Sequence, residues 1–252
     1  MASQLDASAF ATSPGMPTPL RLDGTALSVR DTRDGVEVLC MKLEGNALST
    51  YRIKARRVIS AMPLSVASQV VASLKSDGFD AREHAPRIAP WLVANFVMNR
   101  HPEEDEGADL AWDNVLYGSA GLGYVVSTHQ AIQVAPPVAT VFTAYRAFGD
   151  RDVDAARHWM DTASASEVAA LATEELRKVY DWRLAPCVER VDVTLRGHAM
   201  ASPTPGTLSN AGLRALRDSD GTILYAHADL SGYSVFEEAA WWGWRAAERM
   251  LG

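Results

Sequence analysis

The chain has 252 residues, with 31 Asp and Glu against 24 Lys and Arg, a formal net charge of −7. Hydrophobic residues make up 48% and charged residues 22%, ordinary globular values that set aside a wholly disordered chain, a collagen or a coiled coil. The acidic balance argues against a nucleic-acid partner, two cysteines cannot build a disulfide framework or a four-cysteine zinc site, and no apolar run approaches the ~20 residues of a membrane span. Two free thiols and a start without a basic, then apolar, signal point to a cytoplasmic location.

Residues 1–23, rich in Ala, Ser, Thr and Pro, read as a flexible leader with turns at Pro14-Gly15 and Pro17-Thr18-Pro19. Thr25–Val29 is extended, Asp34-Gly35 is a turn, and Val36–Cys40 begins with apolar–polar alternation. After a second turn at Glu44–Asn46, Tyr51–Lys54 and Val58–Ala61 complete a strand–turn–strand–turn–strand meander. Met62-Pro63 stops it, because proline has no N–H for the ladder. Leu64–Leu74 has near-helical apolar spacing, and Lys75–Pro90 reads as charged loop. Trp91–Met98 is a buried strand, and His101–Asp109 an acidic, solvated loop.

Strands are expected at Asn114–Tyr117, Gly123–Thr128 and Thr140–Tyr145, the first two joined by a glycine-rich hairpin connection. Asp152–Met160 and Ser164–Trp182 read as helices, the second opened by a Ser164/Glu167 capping box. Pro186–Arg196 is extended. Val191, Val193 and Leu195 alternate with polar residues, and Val188 is out of phase, so the regular strand is expected to begin near Arg190. Pro203–Gly206 is a turn. Thr222–Ala226 is a short buried strand, His227–Gly232 a loop, and Ser234 with Glu237 a capping box opening a helix to Leu251. Ala239, Gly243, Ala246 and Ala247 give that helix a small-residue face, which plain packing explains as well as close approach of a ligand. No internal repeat is visible. The fold class is α+β: a β-meander and a mixed sheet with packed helices.

The chain has no nucleotide phosphate loop, no H-E-x-x-H and no G-x-S-x-G elbow. Gly118, Gly121 and Gly123 stand in the wrong order for G-x-G-x-x-G and lie between strands, so they read as hairpin glycines. None of the six histidines pairs at helical spacing, and no metal site is expected. His129 and His198 sit beside strands, either as structural histidines or as near-neutral acids or bases.

Two stretches together carry a resemblance. The first is Val36-Glu-Val followed by Ala55-Arg-Arg-Val-Ile-Ser-Ala-Met-Pro63. The second is Gly221-Thr-Ile-Leu-Tyr-Ala-His-Ala-Asp229, then Phe236-Glu-Glu-Ala-Ala240 and Gly243-Trp-Arg-Ala-Ala247. From Gly24 to Leu251 the chain resembles the C-terminal part of the flavin-dependent amine oxidoreductases, the monoamine-oxidase-like and phytoene-desaturase-like enzymes. Trp112–Tyr117 with Leu122–Gln130 looks like the substrate domain of a bacterial branch. The resemblance implies that residues 24–63 and 218–252 are a partial FAD-binding domain of the glutathione-reductase-like type and that residues 64–217 are a substrate domain.

In that family a strand like V-I-x-A-x-P closes the meander, and a later strand, an acidic residue and a helix beginning near E-G-A complete the flavin site. The resemblance therefore assigns FAD to the backbone amides around Glu237, Glu238 and Ala239, where a helix N-terminus suits the negative charge of a reduced flavin. Asp229 would accept from the ribityl hydroxyls, or only support its turn. Substrate-pocket candidates are Trp112, Asn114, Tyr117, His129, His198 and Tyr233. The departures are specific. The chain lacks the family's G-x-G-x-x-G βαβ unit, Glu238 replaces the glycine of E-G-A, and Ala228 replaces the glycine before the acid. The cage position before the helix falls on Val235, with Tyr233 two residues earlier. Trp241, Trp242 and Trp244 cannot all face inward on one helix.

Three functions stand open. The chain is the substrate and flavin-capping part of an FAD-dependent oxidoreductase that moves hydride from a small-molecule substrate, with weak FAD binding alone. Or it is a non-catalytic, truncated or split subunit whose partner chain supplies the nucleotide-binding half, or a homo-oligomer covering the same surface. Or it is an unrelated β-rich binding domain.

Overall fold

The computed structural model describes residues 22–105, 111–130 and 138–251, the side chains of residues 129 and 130 excepted. They fall into two units: one from the N-terminal part to Ala85 with Ala211–Leu230 and Ala240 onward, the other Pro86–Asn210 with Ser231–Ala239. The leader expected over residues 1–23 lies almost wholly outside the described residues.

The first unit opens with β1 (Thr25–Thr32), β2 (Gly35–Glu44) and β3 (Ala47–Ala55), an antiparallel meander in the order β1-β2-β3. Its next strand, β4 (Val58–Ser60), does not continue the meander. It pairs parallel with β10 (Ile223–Tyr225), Val58 opposite Ile223 and Ser60 opposite Tyr225. A partner so far along the chain leaves no trace in the local pattern. α1 (Leu64–Val70) ends earlier than its apolar spacing suggests, because Val71 bridges to Val29 and the Ala72 amide donates to the Val29 carbonyl at 3.0 Å.

Two short helices escaped the sequence reading. α2 (Ala81–His84) is a single turn capped by Asp80, and α5 (Ala211–Asp218) follows the Pro203–Gly206 turn. The core joins Leu64, Ala67 and Leu74 with Leu213, Leu216, the whole of β10, and Trp242 and Ala246 of α6 (Phe236–Leu251). Arg57 donates to the carbonyls of Arg249, Asp220 and Gly221, tying the entry of β4 to the end of α6.

The second unit is a five-stranded antiparallel sheet in the order β6-β7-β8-β5-β9. The strands are β5 (Arg87–Met98), β6 (Asp113–Asn114), β7 (Tyr124–Val126), β8 (Thr140–Ala147) and β9 (Val188–Ser202). Leu92, Ala94, Phe96, Met98, Tyr124, Val126, Phe142 and Ala144 form one buried face against Ala156 of α3 (Val153–Thr162) and Ala172, Leu176 and Tyr180 of α4 (Ala165–Tyr180). The Ser164/Glu167 capping box is formed as expected.

β9 begins at Val188 rather than near Arg190. Met98 faces Val188 while Val97 faces Arg190, so a bulge at Glu189 absorbs the phase error. A second irregularity sets Pro90, which has no N–H, opposite Gly197–Ala199, and Arg157 fills the gap by donating to the Gly197 carbonyl at 2.9 Å. The strand expected over Asn114–Tyr117 shrinks to Asp113–Asn114, leaving Val115 and Tyr117 exposed. The strand expected over Gly123–Thr128 ends at Val126 and runs into a 3-10 turn, Ser127–Gln130. The loop after His101 is not simply solvated. The Tyr180 hydroxyl donates to Glu104 at 2.9 Å and lies 2.9 Å from the Tyr124 hydroxyl, and Asp105 pairs with Arg183 at 2.8 Å.

Gly123 has φ 92°, and a Cβ there would sit 2.0 Å from the Asn114 carbonyl oxygen. Gly123→Ala should therefore destabilise the fold by about 1–3 kcal/mol, read as a shift of the urea midpoint. Burial, then the facing Tyr124 and Glu104, raises the Tyr180 phenol above its ordinary 10.0. Burial and Asp77 raise Tyr225 likewise. Above pH ~10 the unfolded chain releases protons that the folded chain keeps, so stability is full below that pH and falls as pH rises through it. The alkaline loss in a pH series of urea unfolding should be smaller in Tyr180→Phe than in the parent.

Candidate functional site

In the first unit the carboxyl ends of β4 and β10 lie side by side. β4 runs through Met62-Pro63 into α1, whose N-cap residue, Pro63, offers no capping side chain. The cap comes from the other strand. The Leu64 amide donates to Asp229 Oδ2 at 2.9 Å, and Asp229 is only 3% exposed. A carboxylate at a helix N-terminus meets both an unpaired amide and the positive end of the dipole. The Asp229 amide donates to His227 Nδ1 at 3.1 Å, which fixes the 3-10 turn Ala228–Leu230 that carries the acid. At the same end of β4, the buried Ser60 hydroxyl has no hydrogen-bond partner among the described residues. In open parallel sheets, ligands bind at the carboxyl ends of the strands.

In the second unit the start of α6 differs from its expected cap. The Ser234 hydroxyl accepts from the Ala201 amide at 2.8 Å, and the helix begins at Phe236. The Glu238 carboxylate folds back to accept from the Ser231 hydroxyl at 2.6 Å. The Ala239 amide donates to the Val235 carbonyl at 3.3 Å, and the first-turn amides of Phe236, Glu237 and Glu238 have no hydrogen-bond partner among the described residues.

The unit's sheet has a second face that the sequence reading passed over. Opposite the buried side, Trp91, Val93, Asn95 and Val97 of β5, Val141, Thr143 and Tyr145 of β8 and Val125 of β7 are all half-buried. The register aligns Asp113, Val125, Thr143, Asn95 and Asp192 in one row across all five strands, with Val93 and Tyr145 in the next. Trp91 and Tyr145 meet edge to face, centroids 6.3 Å apart. The Thr143 hydroxyl donates to Asn95 Oδ1 at 2.8 Å. A polar residue inside the apolar run Trp91–Met98 was the available signal.

The six pocket candidates take different places. Asn114 closes its own turn, accepting from the Ala111 amide and donating to the Ala111 carbonyl at 2.8 Å. Trp112, Tyr117 and Tyr233 are exposed, His198 is exposed in the β9 irregularity, and the His129 side chain lies outside the described residues. No hydrogen bond or ring contact links the side chains of these candidates among the described residues. A buried acid went unread. Glu175 accepts from the Ser119 hydroxyl and from the Gly121 amide, where a Cβ would come within 2.4 Å of its carboxyl carbon.

Asp229→Ala removes the cap of α1 and should cost about 1.5–3 kcal/mol of stability in urea unfolding, whereas Asp229→Asn, which keeps an acceptor, should lose less.

No curated protein sequence matches the chain. Among solved structures, wild-type putrescine oxidase bound to putrescine and a cofactor-binding redesign of that enzyme each superpose with TM-score 0.61 at 17% identity. Reduced UDP-galactopyranose mutase superposes with TM-score 0.57 at 13% identity. The redesign and the mutase each cover 91% of this chain, which spans only 49% and 47% of them, about half their length. No helix among the described residues is long and apolar enough to cross a membrane. The family model for flavin containing amine oxidoreductases matches residues 16–251, and the chain belongs to that family.

Proposed function

We propose that this chain is the flavin-capping and substrate part of an FAD-dependent oxidoreductase. The observation that carries the reading is the end of the β4·β10 pair, where a buried acid and a buried hydroxyl with no partner among the described residues lie at the carboxyl ends of parallel strands. That donor and acceptor set fits the polyol of a flavin. Asp229 and Ser60 would hold the ribityl hydroxyls. When bound, the flavin supplies a hydride acceptor, which no protein side chain offers. The chain's own residues position. Asp229 fixes the α1 start and its own turn together, and Ser231 draws the Glu238 carboxylate back onto the helix start. The half-buried Trp91–Tyr145 face of the second unit would receive a small-molecule substrate and exclude water from it. The pyrophosphate does not fit here: the sequence has no G-x-G-x-x-G, so that cradle must come from another segment or chain.

A second reading has one specific observation. Trp241 and Trp244 of α6 pack on each other at 5.1 Å while both are about half exposed, which favours a partner chain covering them.

Titration of the purified chain with FAD, followed by the flavin's visible bands, tests the first reading. Binding should be saturable, weak and lost on desalting, and Asp229→Ala should weaken it by about tenfold. An unchanged dissociation constant in that variant would remove Asp229 from the site. Tight stoichiometric FAD would refute the need for a cradle from elsewhere. No spectral change at any concentration would leave the partner-binding reading.

A further inference from the structure

The row across the second unit's sheet has an uncharged centre. Thr143 donates to Asn95 Oδ1 at 2.8 Å. That bond fixes the amide plane and leaves Asn95 Nδ2 with no hydrogen-bond partner among the described residues. Val93, Val97, Val125, Val141, Trp91 and Tyr145 surround the couple in register. The acid beside it in the row, Asp192, is neutralised by Arg190, whose Nε and a terminal nitrogen both lie 3.0 Å from its Oδ2. The other acid of the row, Asp113, stands beyond Val125 at the sheet edge. A half-buried N–H donor on an apolar field is satisfied by an oxygen acceptor. An ammonium group placed on the couple itself would meet a donor, while the two carboxylates of the row stand to either side of it.

We infer that Asn95, oriented by Thr143, is a specificity-determining donor that recognises a neutral carbonyl or hydroxyl oxygen on an otherwise apolar or aromatic molecule. This rests on the reading of the sheet face as the substrate surface. A site built to donate a hydrogen bond discriminates strongly against a molecule that cannot accept one, because the donor is then left unpaired.

Two probes with the same phenyl body separate the possibilities: phenylacetamide, which presents a carbonyl, and 2-phenylethylamine, which presents a cation. Each is titrated into the ¹⁵N-labelled full chain, following the Asn95 side-chain amide and the Trp91 indole resonances. Phenylacetamide should shift both sets and bind about tenfold tighter than the amine. Asn95→Asp, of nearly the same shape, should reverse the preference. Thr143→Val, which frees the amide plane, should lower it while leaving the fold's other resonances in place. Preference for the amine in the parent chain, or an unchanged preference in both variants, overturns the inference while Trp91 still reports binding to the face. If neither probe moves Trp91, the substrate-surface reading fails and the inference fails with it.

Discussion

One buried hydrogen bond, Leu64 amide to Asp229, joins segments that the chain separates by Pro86–Asn210, most of the second unit. Around it the first unit closes. β10 is buried along its full length at 2–4% exposure, as a parallel strand requires, and β4 beside it delivers the chain directly into α1. The bond satisfies an orphan amide of α1 and a desolvated carboxylate at once, and each would be expensive to leave unpaired. The same constraint sets an acid and the Ser60 hydroxyl at the strand ends, so the architecture that stabilises the unit also brings two buried polar groups together there.

The second unit divides its work between the two faces of one sheet. The face under α3 and α4 is buried along β5, β7 and β8 and holds the Tyr124–Tyr180–Glu104 chain of hydroxyl contacts. The opposite face keeps aromatic and valine side chains half-buried, with a single polar couple at its centre. Period-two alternation makes this possible: along β5, Leu92, Ala94, Phe96 and Met98 serve the core while Trp91, Val93, Asn95 and Val97 serve the other face. Irregularities at Glu189 and opposite Pro90 keep that alternation in register along β9 despite residues that would break it.

The family relationship and the geometry bear on different questions. The match over residues 16–251 establishes ancestry, while the solved structures share a fold at 13–17% identity. Residue roles have to come from the chain itself. Glu238, standing where the resemblance leads one to expect glycine, would set a carboxylate against a flavin; its bond to Ser231 holds that carboxylate back along the chain.

Local sequence determined what depends on near neighbours. The meander followed from its turns, the α4 capping box from Ser164 and Glu167, the β9 alternation from Val191, Val193 and Leu195, and the burial of Ile223–Ala226 from its apolar run. Asp229 was singled out by the family resemblance of its motif, and its burial and its bond to the Leu64 amide are what folding added. Tertiary structure decided what depends on partners far along the chain. Only folding could separate β4 from the meander and set it beside β10, give the α1 cap to Asp229 instead of a neighbour, or turn Ser234 from helix cap to acceptor for Ala201. It also left Trp112 and Tyr117 exposed and gathered Asn95, Thr143, Trp91 and Tyr145 on the face proposed above to receive substrate. These four share a face because strands β5 and β8 pair in one register, and register is a property of two strands that neither carries alone.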